Sequence, residues 1–112
     1  MSDHNYDLVI LGGGPGGYRA AELAGKRGMS VALIEREYLG GVCLNRGCIP
    51  TKTLLHSAKV WSHLADAEEF GVQTDGARYS LEGAMSWKRN TIETLRKGIA
   101  YQMKLYSCIN ST

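Results

Sequence analysis

The sequence predicts an α/β fold: a parallel strand–helix–strand unit, then an irregular segment, then an antiparallel pair of long helices. Three observations predict it. Tyr6 to Leu11 is a short apolar run that ends in glycines, and Val31 to Ile34 is a second, with helix formers between them. Two later stretches carry apolar residues at helical steps.

The first run is bounded by polar residues and glycines, as expected of a strand buried on both faces of a parallel sheet. Helix formers follow from Tyr18 to Arg27, and the small residues Ala20, Ala21 and Ala24 allow close packing on a sheet. Gly28 stands where a C-terminal glycine belongs, after Lys26 and Arg27, whose charges favour the negative end of the helix dipole. The second strand ends at Glu35.

Gly40 to Gly47 reads as an irregular, glycine-rich segment. Pro50 fits the first turn of a helix, where its missing N–H is no loss. Leu54, Leu55, Ala58, Trp61 and Ala65 recur at three- and four-residue steps, which extends that helix to about Ala67. Residues 70–79 are turn-rich. Ser80 is placed to cap a last helix, in which Met85, Ile92, Ile99 and Tyr106 fall seven apart with Leu95 between. Residues 105–112 are a tail without a strand pattern. Two strands are fewer than a doubly wound sheet needs, so residues 1–104 are expected to form only part of a domain.

Composition excludes several functions. The 112 residues include 13 basic and 11 acidic side chains, a net charge of +2, which is too weak to favour nucleic acid or an anionic membrane. No apolar run approaches the roughly 18–20 residues needed to span a bilayer. The first strand starts by Tyr6, so no leader is expected. Three cysteines are too few for a disulfide framework, and a reduced, cytoplasmic compartment is expected.

Gly12, Gly14 and Gly17 make the spacing G-x-G-x-x-G between a strand and a helix. The glycines serve a tight turn, access of a pyrophosphate to bare backbone, and close helix–strand contact. The helix start behind them offers N–H groups and positive dipole charge to phosphates. Glu35 follows Gly17 by eighteen residues, at the end of the next strand, where a carboxylate accepts both hydroxyls of an adenosine ribose. The pattern selects an ADP-containing dinucleotide and a Rossmann-like fold. It does not separate FAD from NAD.

Cys43 and Cys48 lie close behind, between Gly40 and Lys52. Residues five apart in a regular helix have Cα atoms about 8–9 Å apart, whereas a disulfide wants about 4.4–6.8 Å. If the two pair, the chain between them departs from helix, and Gly47 makes that departure easy. A bond closing so small a loop suits reduction better than stapling. Cys48 precedes a helix start, where a thiol pKa falls. A zinc site and inert packing are the alternatives, but C-x4-C with His56 and His63 fits zinc poorly. Cys108 has no partner at a useful spacing.

The segment Gly40 to Lys52 resembles the redox-active signature of the class I pyridine nucleotide–disulfide oxidoreductases, and Tyr6 to about Lys104 resembles their N-terminal FAD-binding region. Leu44 to Lys52 looks most like the members that oxidise dihydrolipoyl groups; glutathione and mercuric reductases usually carry valine at the positions of Leu44 and Ile49. The resemblance implies FAD on Gly12, Gly14, Pro15, Gly16 and Gly17, with Glu35 on the ribose and Gly41, Val42 and Gly47 beside the cofactor. It implies that Cys43 is the interchange thiol, that Cys48 faces the flavin, and that Lys52 approaches flavin N5.

As partners it implies the lipoyl group of 2-oxo acid dehydrogenase or glycine cleavage complexes, and a homodimer. NAD would be the final electron acceptor, but the chain carries no second G-x-G-x-x-G for it. His63 and Glu68 show the H-x4-E spacing of the family's acid–base pair without the proline and threonine that follow it there, and are rejected for that role. A glutathione- or mercury-directed member and an inactive nucleotide-fold fragment are the alternative readings.

Overall fold

A computed structural model describes residues 5–106 and 109–111. Strand β1 (Leu8–Leu11) leads into helix α1 (Pro15–Lys26) and strand β2 (Val31–Ile34). Helices α2 (Gly41–Arg46) and α3 (Cys48–Ala65) follow, then a 3-10 turn (Ala67–Phe70), helix α4 (Leu81–Leu105) and strand β3 (Ile109–Ser111). The sheet order is β1-β2-β3, all parallel, with Leu8 opposite Val31 and Leu11 opposite Ile34.

Helix α1 begins at Pro15, three residues earlier than its helix formers suggest, because Pro15 supplies the helical φ without needing a partner for an N–H. It ends as expected. Gly28 takes φ 80°, and the N–H groups of Gly28 and Met29 return to the carbonyls of Gly25 and Ala24. Ala21 and Ala24 are buried, but Ala20 faces out. Glu22 is buried instead, held between Arg19 and Lys26. The hydrogen bond from Lys26 is the main reason its carboxyl sits below the ordinary pKa.

The core joins Ala21, Ala24, Val31, Leu33 and Leu39 to Ile99 and Met103 of α4. The C-terminal half of α4 therefore completes the strand–helix–strand unit, while its N-terminal half runs beside α3. At about 1.5 Å per residue, 25 residues give a rod of roughly 37 Å, and the molecule is 66 Å long. Contacts of Tyr79 with Trp61 and Ser57, of Trp87 with His56, and of Arg96 with Asn45 run in opposite chain directions, so the expected antiparallel pair is present. Ser80 caps α4 as expected, its Oγ accepting from the Gly83 N–H at 3.0 Å.

Further expectations need correction. Gly40–Gly47 is not irregular: α2 fills it. Its start is set by positive φ at Gly40 and Gly41, and the Asn45 amide holds the carbonyls of Leu39 and Gly41. The end of the chain does add a strand, because β3 pairs with β2 from Ala32 to Ile34. Strand β1 is not buried on both faces; Leu11 is 80% exposed, since nothing among the described residues covers that side. The apolar stripe of α3 is largely exposed, and Leu95 of α4 is exposed too, because nothing among the described residues covers those faces; Met103 is buried where the seven-residue pattern did not place it. No helix among the described residues is long and apolar enough to cross a membrane.

Candidate nucleotide and redox site

The glycine turn is fixed by contacts that exclude side chains. A Cβ on Gly17 would lie 1.8 Å from the Gly12 carbonyl oxygen, so the first turn of α1 rests directly on the end of β1. Gly12 takes φ 104°, and its N–H bonds the Ile34 carbonyl at 2.7 Å, tying the turn to β2. Gly14 is the residue before α1 and offers no side-chain cap; no acidic residue sits in the first turn. The N–H groups that a helix start leaves unpaired are thus left to water or to an anion. A Cβ on Gly16 would meet nothing within 4 Å, so this face of the turn is open.

Glu35 is drawn into the turn. Its Oε2 accepts from the Gly13 N–H at 2.7 Å and its Oε1 from the Glu37 N–H at 3.0 Å. The N–H of Glu37, then that of Gly13, hold its carboxyl below the ordinary pKa, so it stays ionised at neutral pH. Each oxygen keeps acceptor capacity for a further donor. Beside it lies a cleft of about 200 Å³, lined by Glu35, Tyr38, Gly41, Val42 and Asn45 among others.

The cysteine segment is docked on this turn. The Gly40 N–H bonds the Gly13 carbonyl at 2.8 Å, and Leu39 packs over Gly13. A Cβ on Gly41 would meet the Pro15 ring at 2.9 Å and the Gly14 Cα at 3.1 Å, so the start of α2 touches the start of α1. Cys43 follows two residues later and is joined to Cys48 by a disulfide, with Cα atoms 4.8 Å apart. Gly47, at φ −126° and ψ −103°, breaks the helix between them and makes this approach possible. Both cysteines are exposed, and Cys48 is the first residue of α3.

Lys52 lies one helical turn beyond Cys48 and is exposed. Each sulfur being bonded to the other, neither is a thiolate ligand, and no group of three or more His, Cys, Asp or Glu suited to a metal occurs among the described residues. His63 is exposed on α3, which ends at Ala65, and Glu68 is exposed in the 3-10 turn beyond it. Cys108 lies outside the described residues. Sequence reasoning brought together Gly12 to Gly17, Glu35 and Gly41 to Cys48, and the fold does the same. It missed Asn45, Tyr38 and Arg96, because Arg96 of α4 meets residues 51 or more positions earlier in the chain and leaves no local pattern.

A Rossmann-type glycine turn with a disulfide packed against it defines the class. A profile described as pyridine nucleotide-disulphide oxidoreductase matches residues 6–109, and the chain belongs to that family. The match runs past Lys104, where the sequence resemblance ended. Among individual proteins, the chain is similar to dihydrolipoyl dehydrogenases. It is 46% identical to that of Acholeplasma laidlawii over 88% of its own length and 30% of the relative's. It is also 46% identical to that of Bacillus subtilis, over 88% of the chain and 21% of the relative. With that of Mycoplasma pneumoniae it shares 49% over 76% of the chain and 18% of the relative. The chain therefore spans less than a third of these curated relatives.

Proposed function

We infer that the chain is the N-terminal portion of an FAD-dependent dithiol–disulfide oxidoreductase of the dihydrolipoyl dehydrogenase type. The observation that carries this reading is the contact of Gly41 with Gly14 and Pro15, which sets the disulfide segment against the phosphate-binding turn. The residues present fit FAD. Gly12 and Gly16 offer open backbone, Gly14 and Pro15 an uncapped helix start for a diphosphate, and Gly17 seats that start against β1; Glu35 is an anion beside a cleft of suitable chemistry for a ribose. The carboxylate would repel a 2′-phosphate. Gly41 keeps the start of α2 against Gly14 and Pro15, and Val42 and Gly47 would complete the cofactor's surroundings.

Bound FAD would supply the hydride transfer that a thiol pair cannot perform, and NAD would accept the hydride at a site that lies outside these residues. Cys43 serves as the interchange thiol. A substrate dithiol attacks the Cys43 sulfur, the Cys43–Cys48 bond breaks, and Cys48 leaves as a thiolate stabilised by the start of α3. The second substrate thiol then displaces Cys43 and departs as a cyclic disulfide. Lys52 keeps a cation one turn from Cys48, where it favours negative charge.

In the whole protein the dithiol would be a dihydrolipoyl group of a 2-oxo acid dehydrogenase or glycine cleavage complex, the assembly a homodimer, and the compartment the cytoplasm. FAD titration of the purified chain, read by flavin absorbance and by alkylation of the dithiol form, tests the reading. Bound flavin together with reduction of Cys43–Cys48 by dihydrolipoamide is expected. Flavin-free protein with a disulfide inert to dihydrolipoamide would overturn it. Lipoamide-dependent NADH oxidation is not expected from the 112 residues alone.

A further inference from the structure

Arg96 is half-buried in the middle of α4 and forms no ion pair among the described residues. Its charge is set instead against two uncharged groups. The guanidinium carbon lies 3.8 Å from the centroid of the Tyr38 ring, and Nε donates to Oδ1 of Asn45. Arginine has no acceptor, so the Asn45 atom facing it must be the oxygen. That fixes the amide. Its Nδ2 is thereby turned onto the carbonyls of Leu39 at 3.1 Å and Gly41 at 2.8 Å.

Asn45 lies between the two cysteines, and residues 39–41 form the turn that abuts Gly13, Gly14 and Pro15. One cation on α4 thus anchors the oxygen of the amide whose Nδ2 braces both the disulfide loop and its seat on the glycine turn. We propose that Arg96 is a positioning residue for the Cys43–Cys48 couple: through Asn45 and Tyr38 it holds the loop in its closed shape and so sets the dithiol–disulfide equilibrium. The proposal rests on the redox reading of the pair given above.

The physical basis is the closing step. With dithiothreitol as reductant, its thiolate attacks one sulfur and the Cys43–Cys48 bond breaks. Its second thiol resolves the mixed disulfide; two protons end on Cys43 and Cys48, and the reductant leaves as a cyclic disulfide. Reclosure reverses this, and is favoured when the loop already holds the cysteines at bonding separation, here 4.8 Å between Cα atoms. A loop released from Arg96 samples wider shapes and recloses less readily.

The test equilibrates the full 112-residue chain, without flavin, in dithiothreitol redox buffers, and reads the dithiol fraction by alkylation and mass. Arg96→Met is expected to shift the equilibrium at least about fivefold toward dithiol, because part of the charge-assisted hydrogen bond and ring contact is specific to the closed loop. Arg96→Lys, which keeps a cation and a donor on a shorter stem, is expected to recover part of the shift. Lys97→Met alters the neighbouring cation, paired with Glu93 at 3.3 Å, and is expected to leave the equilibrium within about twofold of the parent.

An unshifted Arg96→Met with the parent's helix content overturns the proposal, and so does an equal shift in Lys97→Met. Should Arg96→Met fail to fold, Asn45→Asp decides: it keeps the acceptor for Arg96 and removes the Nδ2 donors, and an unshifted equilibrium there also overturns the proposal. A parent chain whose cysteines never pair in oxidising buffer would instead overturn the redox reading itself.

Discussion

At one end of the molecule, a methyl group on Gly17 would lie 1.8 Å from the Gly12 carbonyl oxygen; along the helix pair, Leu55 is 63% exposed and touches little. The glycine-turn region admits almost no change in shape. Gly13, Gly17, Gly40 and Gly41 each lack room for a Cβ, and the turn, Glu35 and the loop at Gly40 are linked by hydrogen bonds. The outer part of α3 and α4 buries Thr53, Ala84 and Ile92 and is otherwise held by aromatic edges and a hydroxyl contact at its surface. Tight backbone contact is concentrated where the disulfide segment meets the glycine turn; the helix pair supplies reach.

Substitutions sharpen this contrast. Gly17→Ala is expected to do the most damage, about 3 kcal/mol or more, because the overlap is with backbone and cannot be relieved by a side-chain rotation. Thermal unfolding followed by circular dichroism measures it, and a loss under about 1 kcal/mol would show that the turn is looser than described. Leu33→Ala empties a fully buried position and is expected to cost about 2–4 kcal/mol, whereas Leu55→Ala is expected to stay within about 0.5 kcal/mol. Equal losses in urea unfolding would erase the distinction between the two regions.

Acid titration probes the same region more gently. Glu35 has its folded pKa lowered, first by the Glu37 N–H and then by the Gly13 N–H. It therefore contributes stability that is fully present above its unfolded pKa and is lost as pH falls through the lower folded value. Glu35→Gln is expected to lower stability at neutral pH and to flatten the acid limb of stability against pH. An unchanged acid limb would mean that the turn does not depend on this carboxylate.

Gly16→Ala separates folding from binding. The added methyl meets nothing, so stability is expected to be unchanged or to rise by up to about 1 kcal/mol from reduced backbone freedom. FAD binding, measured by flavin fluorescence quenching, is expected to weaken in the same variant. Undiminished flavin affinity would place the diphosphate elsewhere.

The part of the fold that was readable from sequence is the part written by local backbone demands. Glycines at positions 12, 17 and 28 and the Ser80 cap each express a φ, a close approach or an unpaired N–H that only certain residues satisfy. Glu35 was readable because its spacing from Gly17 reflects the length of a strand–helix–strand unit.

Helix α2 was missed because its two leading glycines look like loop, whereas their positive φ values start a helix that Asn45 then braces. Strand β3 was missed because three residues carry no period; it is defined by pairing with β2, a non-local fact. The stripes on α3 and α4 announce helices correctly but overstate burial, since apolar spacing states which face seeks a partner and not whether one is present. Arg96 on Asn45 is the same lesson at the site: a contact 51 residues apart leaves no mark in either local sequence.

The decisive measurement is the alkylation rate of Cys48 in the dithiol form of the chain, with and without saturating FAD. Occupancy of the glycine turn should slow Cys48 severalfold while Cys43 stays reactive, and Gly14→Val should abolish both flavin binding and protection. Flavin that binds with Gly14-dependent affinity yet leaves both thiols equally reactive would contradict a shared site for the turn and the disulfide.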